Sequence, residues 1–343
     1  MNKNIILIIP YHFEIYKGII KNLETLGFEV ELLFVSDTRF IYKSFYQKLI
    51  NFFRKSFLFD KNYKKKLRDD YHNESLSSKL NKITKEIDYA LVIRPDFFSQ
   101  NTLQLLKTKT KKMVAYQWDG FKRFPKILNY ITLFDSFFVF DINDLEKYGK
   151  DFPQLKPVTN FYLDFEKKHE ETNIQNQVYF VGSYLENRID AIVNIANYLQ
   201  QINIKININI KYFKKQTPNK YPNSNINFIK TDSSYLDMIE HVKKSTIVLD
   251  FANSFHNGLS SRIFEAIYFK KKLITNNPNV KKYDFYDPNN IFIWDEKNEN
   301  EIENFISLPY KEIDEKIIQK YSFSNWIRYV FDIEPYQKIH LHK

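Results

Sequence analysis

An arginine and a glutamate stand three residues apart in the stretch SFHNGLSSRIFEAIYFKKKLITNN, which covers residues 254–277. Arg262 and Glu265 follow a polar loop and lie off the apolar face of the helix that the pattern predicts. Two interpretations are open. The two side chains form an i,i+3 ion pair on a solvated surface, worth about 0.2–0.5 kcal/mol, or they face a ligand.

The ligand interpretation rests on how this helix begins. Gly258 lets the loop turn tightly, and Ser260 or Ser261 caps the helix. A helix N-terminus beside a fixed positive charge, here Arg262, suits a phosphate group. A carboxylate at Glu265 suits the two hydroxyls of a ribose, as acidic residues do in dinucleotide sites. Together these groups predict a site for a nucleoside diphosphate.

The elements that must position these residues form two series of alternating strands and helices. A length of 343 residues favours two domains. The polar stretch 165–177 separates the series, which predicts an N-terminal domain over 1–168 and a C-terminal domain over 169–343. Repeated strand–helix–strand units imply a parallel sheet in each domain. The predicted strands begin with NIILIIP, EVELLFV, YALVIRP, KMVAYQW and SFFVF, and continue with VYFVG, IKININIKY, INFIK, STIVLDF, KKLIT and NIFIW.

Polar residues follow the strands, at the edge where open parallel sheets bind ligands. We expect the loops of the two domains to face each other across a cleft, which would make a site for two substrates. The candidate site residues in these loops are His12 and Asp119 in the first half, and Gly182, Ser183, His256 and Asn257 in the second. The imidazole of His256 has two open interpretations, a donor to phosphate or a structural part of the loop.

The composition restricts the classes of function. The net charge of +10 indicates an anionic partner: nucleic acid, an acidic membrane face or a phosphorylated small molecule. The absence of cysteine excludes disulfides, thiolate zinc sites and cysteine nucleophiles. No segment approaches the ~20 apolar residues of a membrane span, and the N-terminal apolar run is too short for a signal peptide. We therefore expect a cytoplasmic protein. Whether it also binds the inner face of the membrane is left open by the composition.

Residues 39–70 interrupt the first series with aromatic and basic residues, within a helical insertion over about 39–84. A basic, aromatic amphipathic helix suits the surface of an anionic membrane. The other interpretation is that the aromatic stripe packs on its own domain and the lysines are merely solvated. No recognised nucleic-acid-binding module is present, so nucleic acid is not expected as a partner.

The segments GLSSRIFEAIYFKKKLITNN, NNIFIWD and YSFSNWIRYVF resemble the nucleotide-sugar-binding half of GT-B glycosyltransferases. The likeness is to the "group 1", spore-maturation-like branch that includes lipopolysaccharide and capsule enzymes, and it covers roughly residues 178–331. It implies that Glu265 binds the ribose and that the helix N-terminus lies at the diphosphate. It also implies that Gly182 and Ser183 lie near the donor phosphates or the acceptor. The family usually has glycine where this chain has Lys270-Lys271, which predicts a differently built turn.

The resemblance implies a metal-independent transfer from a nucleotide sugar, a UDP-sugar for preference, to a saccharide or lipid-linked acceptor in surface polysaccharide biosynthesis. No cofactor and no metal are expected. An inverting transfer needs a base on the opposite wall of the cleft. Asp119 is the first candidate and His12 the second, each with the alternative of a loop-capping or buried structural role. A retaining transfer would need no dedicated base.

Two rival functions stay open. A sugar-nucleotide epimerase on the same fold would need further acid and base groups around the sugar. A non-catalytic protein that binds a membrane or nucleic acid would need no ribose ligand such as Glu265. Asp141, which follows the strand SFFVF, is expected to cap the next helix rather than act in the chemistry.

Overall fold

The protein contains two six-stranded sheets, and every strand pairing within them is parallel. The structure, a computed structural model, describes residues 3–11, 13–33, 41–60, 62–165, 177–213, 220–221, 224–231, 233–252 and 256–342. The two sheets lie on either side of the polar stretch that the sequence marks as a boundary. The predicted fold class, two α/β domains built on parallel sheets, is confirmed.

The first sheet has the strand order β2-β1-β3-β4-β5-β6. Strands β1, β3, β4 and β5 are mostly buried on both faces, as expected for parallel strands covered by helices, whereas the outer strands β2 and β6 are mostly half-buried or exposed. The sixth strand was not predicted because it has three residues and ends in proline. The strands are β1 (Lys3–Ile8), β2 (Phe28–Leu32), β3 (Ile87–Ile93), β4 (Thr110–Gln117), β5 (Ser136–Val139) and β6 (Leu155–Pro157).

Five α-helices accompany the first sheet. Asp141 caps the fifth of them, since its Oδ1 accepts a hydrogen bond from the Asn143 backbone at 3.0 Å. Short 3₁₀ turns cover 95–97 and 125–133. The helices are α1 (Ile15–Thr25), α2 (Phe45–Phe57), α3 (Tyr63–Lys82), α4 (Gln100–Lys107) and α5 (Ile142–Tyr148).

The second sheet has the order β12-β11-β10-β7-β8-β9. Its strands are β7 (Gln177–Ser183), β8 (Lys205–Lys211), β9 (Asn227–Ile229), β10 (Ile247–Asp250), β11 (Lys272–Thr275) and β12 (Ile291–Ile293). Its helices are α6 (Ile189–Gln201), α7 (Tyr235–Lys244), α8 (Ser261–Tyr268), α9 (Ile302–Ser307), α10 (Glu315–Lys320) and α11 (Phe323–Phe331).

The strand order reverses direction once in each sheet, between β1 and β3 in the first and between β7 and β10 in the second. Such a switch point leaves a crevice beyond the carboxyl ends of the strands, because the connections on its two sides leave in opposite directions. The two crevices face each other. Across them the Tyr235 backbone N–H donates to the Phe13 carbonyl at 2.6 Å.

The last helix, α11, packs back onto the first sheet. Trp326 is completely buried, and its indole N–H donates to the Thr159 carbonyl at 3.0 Å. Its ring centroid lies 5.1 Å from that of Tyr116 on β4. Phe331, at the end of the helix, lies 4.7 Å from the ring of Tyr89 on β3. The C-terminal part of the chain therefore contributes to the core of the first domain.

The basic insertion between β2 and β3 forms α2 and α3. Helix α3 buries Leu76 and Leu80 against the first domain, but α2 buries no residue. The interpretation that the aromatic stripe packs on its own domain is therefore wrong for α2. In the part of the chain that the structure describes, no helix is long and apolar enough to cross a bilayer.

The turn after α8 keeps the geometry that glycine would provide. Lys270 has a φ of 53°, the left-handed conformation in which helices commonly end. The expectation that the turn is built differently is therefore wrong. The two lysines that follow form hydrogen bonds with neighbouring helices. Lys271 Nζ donates to the Lys243 carbonyl of α7, and Lys272 Nζ donates to the Phe305 carbonyl of α9.

Candidate functional site

A cavity of about 240 Å³ lies at the switch point of the second sheet, between the end of β7 and the start of α8. Phe13 and Ile15 from the first domain close its other side. Five residues that the sequence marks for donor binding line this cavity: Gly182, Ser183, Ser261, Arg262 and Glu265. They come from chain segments about 80 residues apart, and parallel pairing of β7 with β10 brings them together.

Arg262 is anchored inside the cavity rather than on the surface. Its Nη1 lies 3.1 Å from Asp250 Oδ1, and its Nη2 donates to the Val181 carbonyl at 2.7 Å. Its guanidinium also lies 4.7 Å from the centre of the Phe180 ring. These contacts fix the cation at the N-terminus of α8. The backbone N–H groups of the first helical turn add positive potential there.

Glu265 is buried, with 7% of its surface exposed. Its Oε1 accepts a hydrogen bond from the Tyr235 hydroxyl at 2.9 Å. Burial raises the pKa of this carboxyl, although the Tyr235 hydrogen bond and the charge of Arg262 both act to lower it. The interpretation of Arg262 and Glu265 as a solvated surface pair is therefore wrong.

Asp250 organises the start of α8, and sequence reasoning missed it. It ends β10 with 2% of its surface exposed, and it accepts hydrogen bonds from Ser260, Arg262 and Thr275. Ser260 occupies the N-cap position, but its hydroxyl donates to Asp250 at 2.6 Å and caps no backbone N–H. The available signal was an acid at the end of the apolar run STIVLD, where a buried charge requires partners.

Arg188 was also missed, although it lines the same cavity. Its Nη2 donates to the Ser183 carbonyl at 2.8 Å, whereas its enclosed Nε has no hydrogen-bond partner within the described part of the chain. Burial, with Arg262 nearby, lowers the pKa of Arg188 to about 10. The sequence pattern that could have indicated Arg188 as a site residue is its position five residues after the Gly-Ser turn.

The absence of a side chain at Gly182 makes room for this arginine. A Cβ atom there would lie 2.9 Å from the Phe180 ring and 3.1 Å from Arg188 Nη2. The cavity thus holds two guanidinium groups, Arg188 and Arg262. Asp250 pairs with Arg262, whereas Arg188 has no carboxylate partner among the described residues. The arrangement favours an anionic ligand.

His256, Asn257 and Gly258, which were predicted to bind the donor, lie instead against the first domain. The Asn257 backbone N–H donates to Asp141 Oδ2 at 2.9 Å, and the His256 ring lies 4.7 Å from that of Phe140. A Cβ at Gly258 would lie 2.4 Å from the Phe140 carbonyl oxygen, so the close approach requires glycine. None of the three lines the cavity at α8.

The state of His256 follows from this packing. Its Nδ1 is buried and has no hydrogen-bond partner among the described residues. Burial lowers the pKa of the imidazole, against the opposing effect of the Asp119 and Asp141 carboxylates. A neutral imidazole has one nitrogen that donates a hydrogen bond and one that accepts, which suits a hydrogen bond between the domains better than a charge contact.

Asp119 belongs to a cluster of four charged residues at the carboxyl edge of the first sheet. Arg94 Nη1 lies 2.6 Å from its Oδ2, and Arg123 Nη1 lies 3.0 Å from its Oδ1. Arg94 also forms two hydrogen bonds with Asp96, at 2.6 and 2.8 Å. Two arginines and two aspartates therefore balance each other. His12, the second candidate base, lies outside the described residues.

Arg94 is held in a strained conformation within this cluster. Its φ of 59° is left-handed, which is uncommon for a residue with a side chain. Its guanidinium lies 3.9 Å from the centre of the Phe124 ring and 4.7 Å from that of Phe97. The strain is tolerated because aromatic rings and two carboxylates fix the group. No group of three or more His, Asp and Glu side chains suited to a metal ion occurs among the described residues.

Comparison with known proteins identifies the fold. No protein-family model and no curated protein matches the chain. UDP-GlcNAc 2-epimerase from Methanocaldococcus jannaschii is similar in structure, with a TM-score of 0.51 and 14% identity over 90% of this chain and 94% of that one. The N-terminal domain of Candida albicans trehalose-6-phosphate phosphatase gives a TM-score of 0.54, at 10% identity over 98% of this chain and 97% of that one. The chain has the GT-B fold.

A third similar structure is that of S. aureus TarM, with a TM-score of 0.50 and 13% identity. The match covers 78% of this chain and 57% of that one. At identities of 10–14%, these likenesses concern the fold and do not transfer an activity. The function must be argued from the cavity and the residues that line it.

Proposed function

We propose that this GT-B chain is a glycosyltransferase that uses a nucleotide sugar as its donor. The observation that carries the proposal is the cavity at the β7–β10 switch point, which combines two guanidinium groups with a buried carboxylate. Arg188 and Arg262 suit a diphosphate, and Glu265 suits the hydroxyls of a ribose. All three side chains line the same cavity, so one nucleoside diphosphate could contact them together.

We propose a UDP-sugar as the donor and a saccharide or lipid-linked molecule as the acceptor, in the assembly of a bacterial surface polysaccharide such as lipopolysaccharide or capsule. The similarity in fold to an enzyme named for UDP-GlcNAc supports the choice of nucleotide. The acceptor would occupy the opposite crevice, at the carboxyl edge of the first sheet.

The chemistry of transfer follows from the charges in the cavity. As the bond between the sugar and the diphosphate breaks, negative charge grows on the leaving group. Arg188 and Arg262 are fixed at the cavity by hydrogen bonds to the Ser183 and Val181 carbonyls. We propose that they and the N-terminus of α8 stabilise this charge with little reorganisation. We propose that this stabilisation makes a metal ion unnecessary. Asp119 stays the proposed base for the acceptor hydroxyl, with Arg94 and Arg123 fixing its direction.

A panel of nucleotide sugars tests the donor assignment. We expect a UDP-sugar to raise the melting temperature more than GDP-, dTDP-, ADP- or CMP-sugars do. At a ligand concentration of about 100 Kd the stabilisation is about 2.7 kcal/mol. Glu265→Gln should abolish this shift while keeping an acceptor for the Tyr235 hydroxyl. The matched control is Glu312→Gln, which changes an exposed carboxylate paired with Lys270 and should keep the shift. A protein that no nucleotide sugar stabilises would refute the proposal.

An epimerase is the second candidate, because a similar fold occurs in UDP-GlcNAc 2-epimerase. An epimerase needs acid and base groups around the sugar. Of the described residues that line the cavity, Glu265 is the one carboxylate. Incubation with UDP-GlcNAc alone separates the two functions, because an epimerase changes the configuration of the sugar without an acceptor. NMR of the sugar protons should show no new epimer.

A further inference from the structure

Helix α2 presents its apolar side chains to solvent. Of the thirteen large apolar side chains that are exposed among the described residues, ten lie between residues 41 and 59. Their exposed fractions range from 41% to 80%. The ten are Ile41, Phe45, Tyr46, Leu49, Ile50, Phe52, Phe53, Phe57, Leu58 and Phe59. A contiguous surface of this kind on a folded domain marks an interaction site.

The orientation of α2 is the reverse of that in an ordinary surface helix. Its half-buried side chains are polar, Gln47 and Asn51, and its apolar side chains point outward. The helix lies alongside α3, since Lys43 pairs with Glu74 and the Arg54 guanidinium lies 4.6 Å from the Tyr63 ring. Surface helices normally turn their apolar stripe to the core. The outward stripe therefore needs an occupant other than its own domain.

The charges around the stripe indicate what that occupant is. Residues 41–59 contain four cationic residues and no acidic one. Three further exposed lysines, Lys64, Lys65 and Lys66, stand at the start of α3. Lysine is depleted in protein–protein interfaces. Aromatic side chains flanked by cations are instead typical of helices that lie in the interface of an anionic bilayer.

The position of α2 relative to the cleft follows from the course of α3. Asn73 accepts a hydrogen bond from the Ser99 backbone at 2.7 Å, and Ser99 lies just beyond the carboxyl end of β3. Residues 63–72 precede that contact and make about 15 Å of helix at 1.5 Å per residue, and α3 runs from them back towards the start of β3. We infer that this half of α3 extends beyond the carboxyl edge of the first sheet. Helix α2 runs antiparallel along this projecting half. It therefore stands on the side of the domain on which the cleft opens.

We propose that the outward face of α2 is a docking surface for an anionic lipid bilayer. The aromatic side chains enter the headgroup region, and Lys48, Lys55 and the lysines at the start of α3 contact acidic headgroups. Docking in this orientation turns the carboxyl edge of the first sheet, with Arg94 and Asp119, towards the lipid surface. The surface stands independently of the proposed sugar transfer, because it shares no residue with the cavity at α8.

Sedimentation with lipid vesicles tests this surface on the full chain. We expect binding to vesicles of phosphatidylglycerol and phosphatidylcholine at ~20 mM salt, with weaker binding at ~500 mM salt because ions screen the contact. The combined change Lys48→Gln, Lys55→Gln and Lys64→Gln should weaken binding on the order of a hundredfold. The matched control replaces the exposed Lys205, Lys244 and Lys316 by Gln, with the same change of net charge, and should bind within about threefold of the unaltered chain.

The aromatic contribution has its own variant. Phe53 and Phe57 stack on the exposed face with ring centroids 5.4 Å apart. Phe53→Ser combined with Phe57→Ser should weaken vesicle binding by roughly tenfold or more. Both side chains are exposed, so the melting temperature without lipid should not fall. Equal binding by this variant and the unaltered chain would overturn the proposal.

A site-specific label reports which surface meets the lipid. The chain has no cysteine, so Ser56→Cys gives a single position for an environment-sensitive dye next to the apolar face. Its emission should shift to the blue on addition of anionic vesicles, whereas a dye at Ser307→Cys, exposed on α9, should not shift. The proposal fails if neither dye shifts, if only the second shifts, or if the chain forms a dimer that Phe53→Ser and Phe57→Ser dissociate.

Discussion

Two charged clusters face each other across the cleft, and they differ in how their charges are balanced. In the first domain, Arg94 and Arg123 are paired with Asp96 and Asp119 at 2.6–3.0 Å. In the second domain, Arg188 and Arg262 share a cavity in which Asp250 is paired with Arg262. In the part of the chain that the structure describes, Arg188 therefore has no carboxylate partner, whereas both arginines of the first cluster have one.

Paired side chains, as in the first cluster, fix each other's orientation. An arginine without a carboxylate partner, as in the second cluster, can bind an anionic ligand. A buried ion pair with its hydrogen bonds complete gains little from an added charge. Arg188 is half-buried, and its enclosed Nε has no hydrogen-bond partner among the described residues, so its guanidinium is less well stabilised than those of the first cluster. In the proposed function, the first cluster holds Asp119 in one direction, and the cluster of Arg188 and Arg262 supplies binding energy for a diphosphate.

The largest expected effect concerns Asp119. We expect Asp119→Asn to lower the rate of sugar transfer by about 10²–10⁴-fold, the usual contribution of a general base. The stabilisation by a UDP-sugar should stay unchanged, because Asp119 does not line the donor cavity. Turnover with donor and acceptor, measured beside the thermal shift, checks both parts. A variant that keeps full turnover would leave the first cluster with a purely structural role.

Replacement of one arginine in each cluster compares them directly. Arg94→Met leaves Asp96 without its partner and Asp119 with Arg123 alone, so we expect a loss of about 3–5 kcal/mol in the free energy of unfolding. Arg188→Met removes a charge that has no carboxylate partner, so the stability without ligand should be unchanged or raised by about 1 kcal/mol.

Urea unfolding with and without a UDP-sugar measures both quantities for the two arginine variants. The stabilisation by donor should disappear in Arg188→Met, because the variant lacks a phosphate contact. Equal losses of unfolding free energy in Arg94→Met and Arg188→Met, measured without ligand, would show that the two clusters do not differ in how their charges are paired.

The pH dependence of stability sharpens the account of Glu265. Because burial raises its pKa above the usual 4.5, the folded chain holds this proton more tightly than the unfolded chain does. Its contribution to stability is complete below pH 4.5 and is lost as the pH rises towards the folded pKa. Glu265→Gln should therefore gain stability relative to the unaltered chain between pH 4 and pH 7. Denaturant unfolding at several pH values measures the gain, and a constant difference would show that the pKa is not raised.

The smallest expected effect is on the free energy of unfolding and concerns Lys270, which lies outside both clusters. Lys270 holds a φ of 53° that favours glycine, and its ion pair with Glu312 is exposed. We expect Lys270→Gly to raise the free energy of unfolding by up to about 1 kcal/mol, with no effect on donor binding. Thermal unfolding checks the sign, and Lys297→Gly, at an exposed lysine whose φ is not positive, should give no such gain.

The sequence predicted eleven of the twelve described strands and the helix that carries Arg262 and Glu265, for a physical reason. Strands of parallel sheets are continuous apolar runs, and the pair of Arg262 and Glu265 lies on one helix, so local spacing carries the information. Asp250 and Arg188 depend on contacts with segments distant in the sequence, which spacing does not encode. The direction of the α2 stripe was open for the same reason, since periodicity shows that a helix has an apolar face but not what covers it.

The loop from His256 to Ser260 ties the two domains together. Asn257 and Leu259 are bound through their backbones to Asp141 and Asn160 of the first domain, at 2.9 and 2.8 Å. One residue later, Ser260 is bound to Asp250 beneath the donor cavity. Any hinge motion that widens the cleft must break these bonds or pull on the first turn of α8. In the proposed transfer, release of the nucleotide and entry of the next acceptor would therefore both require this loop to move.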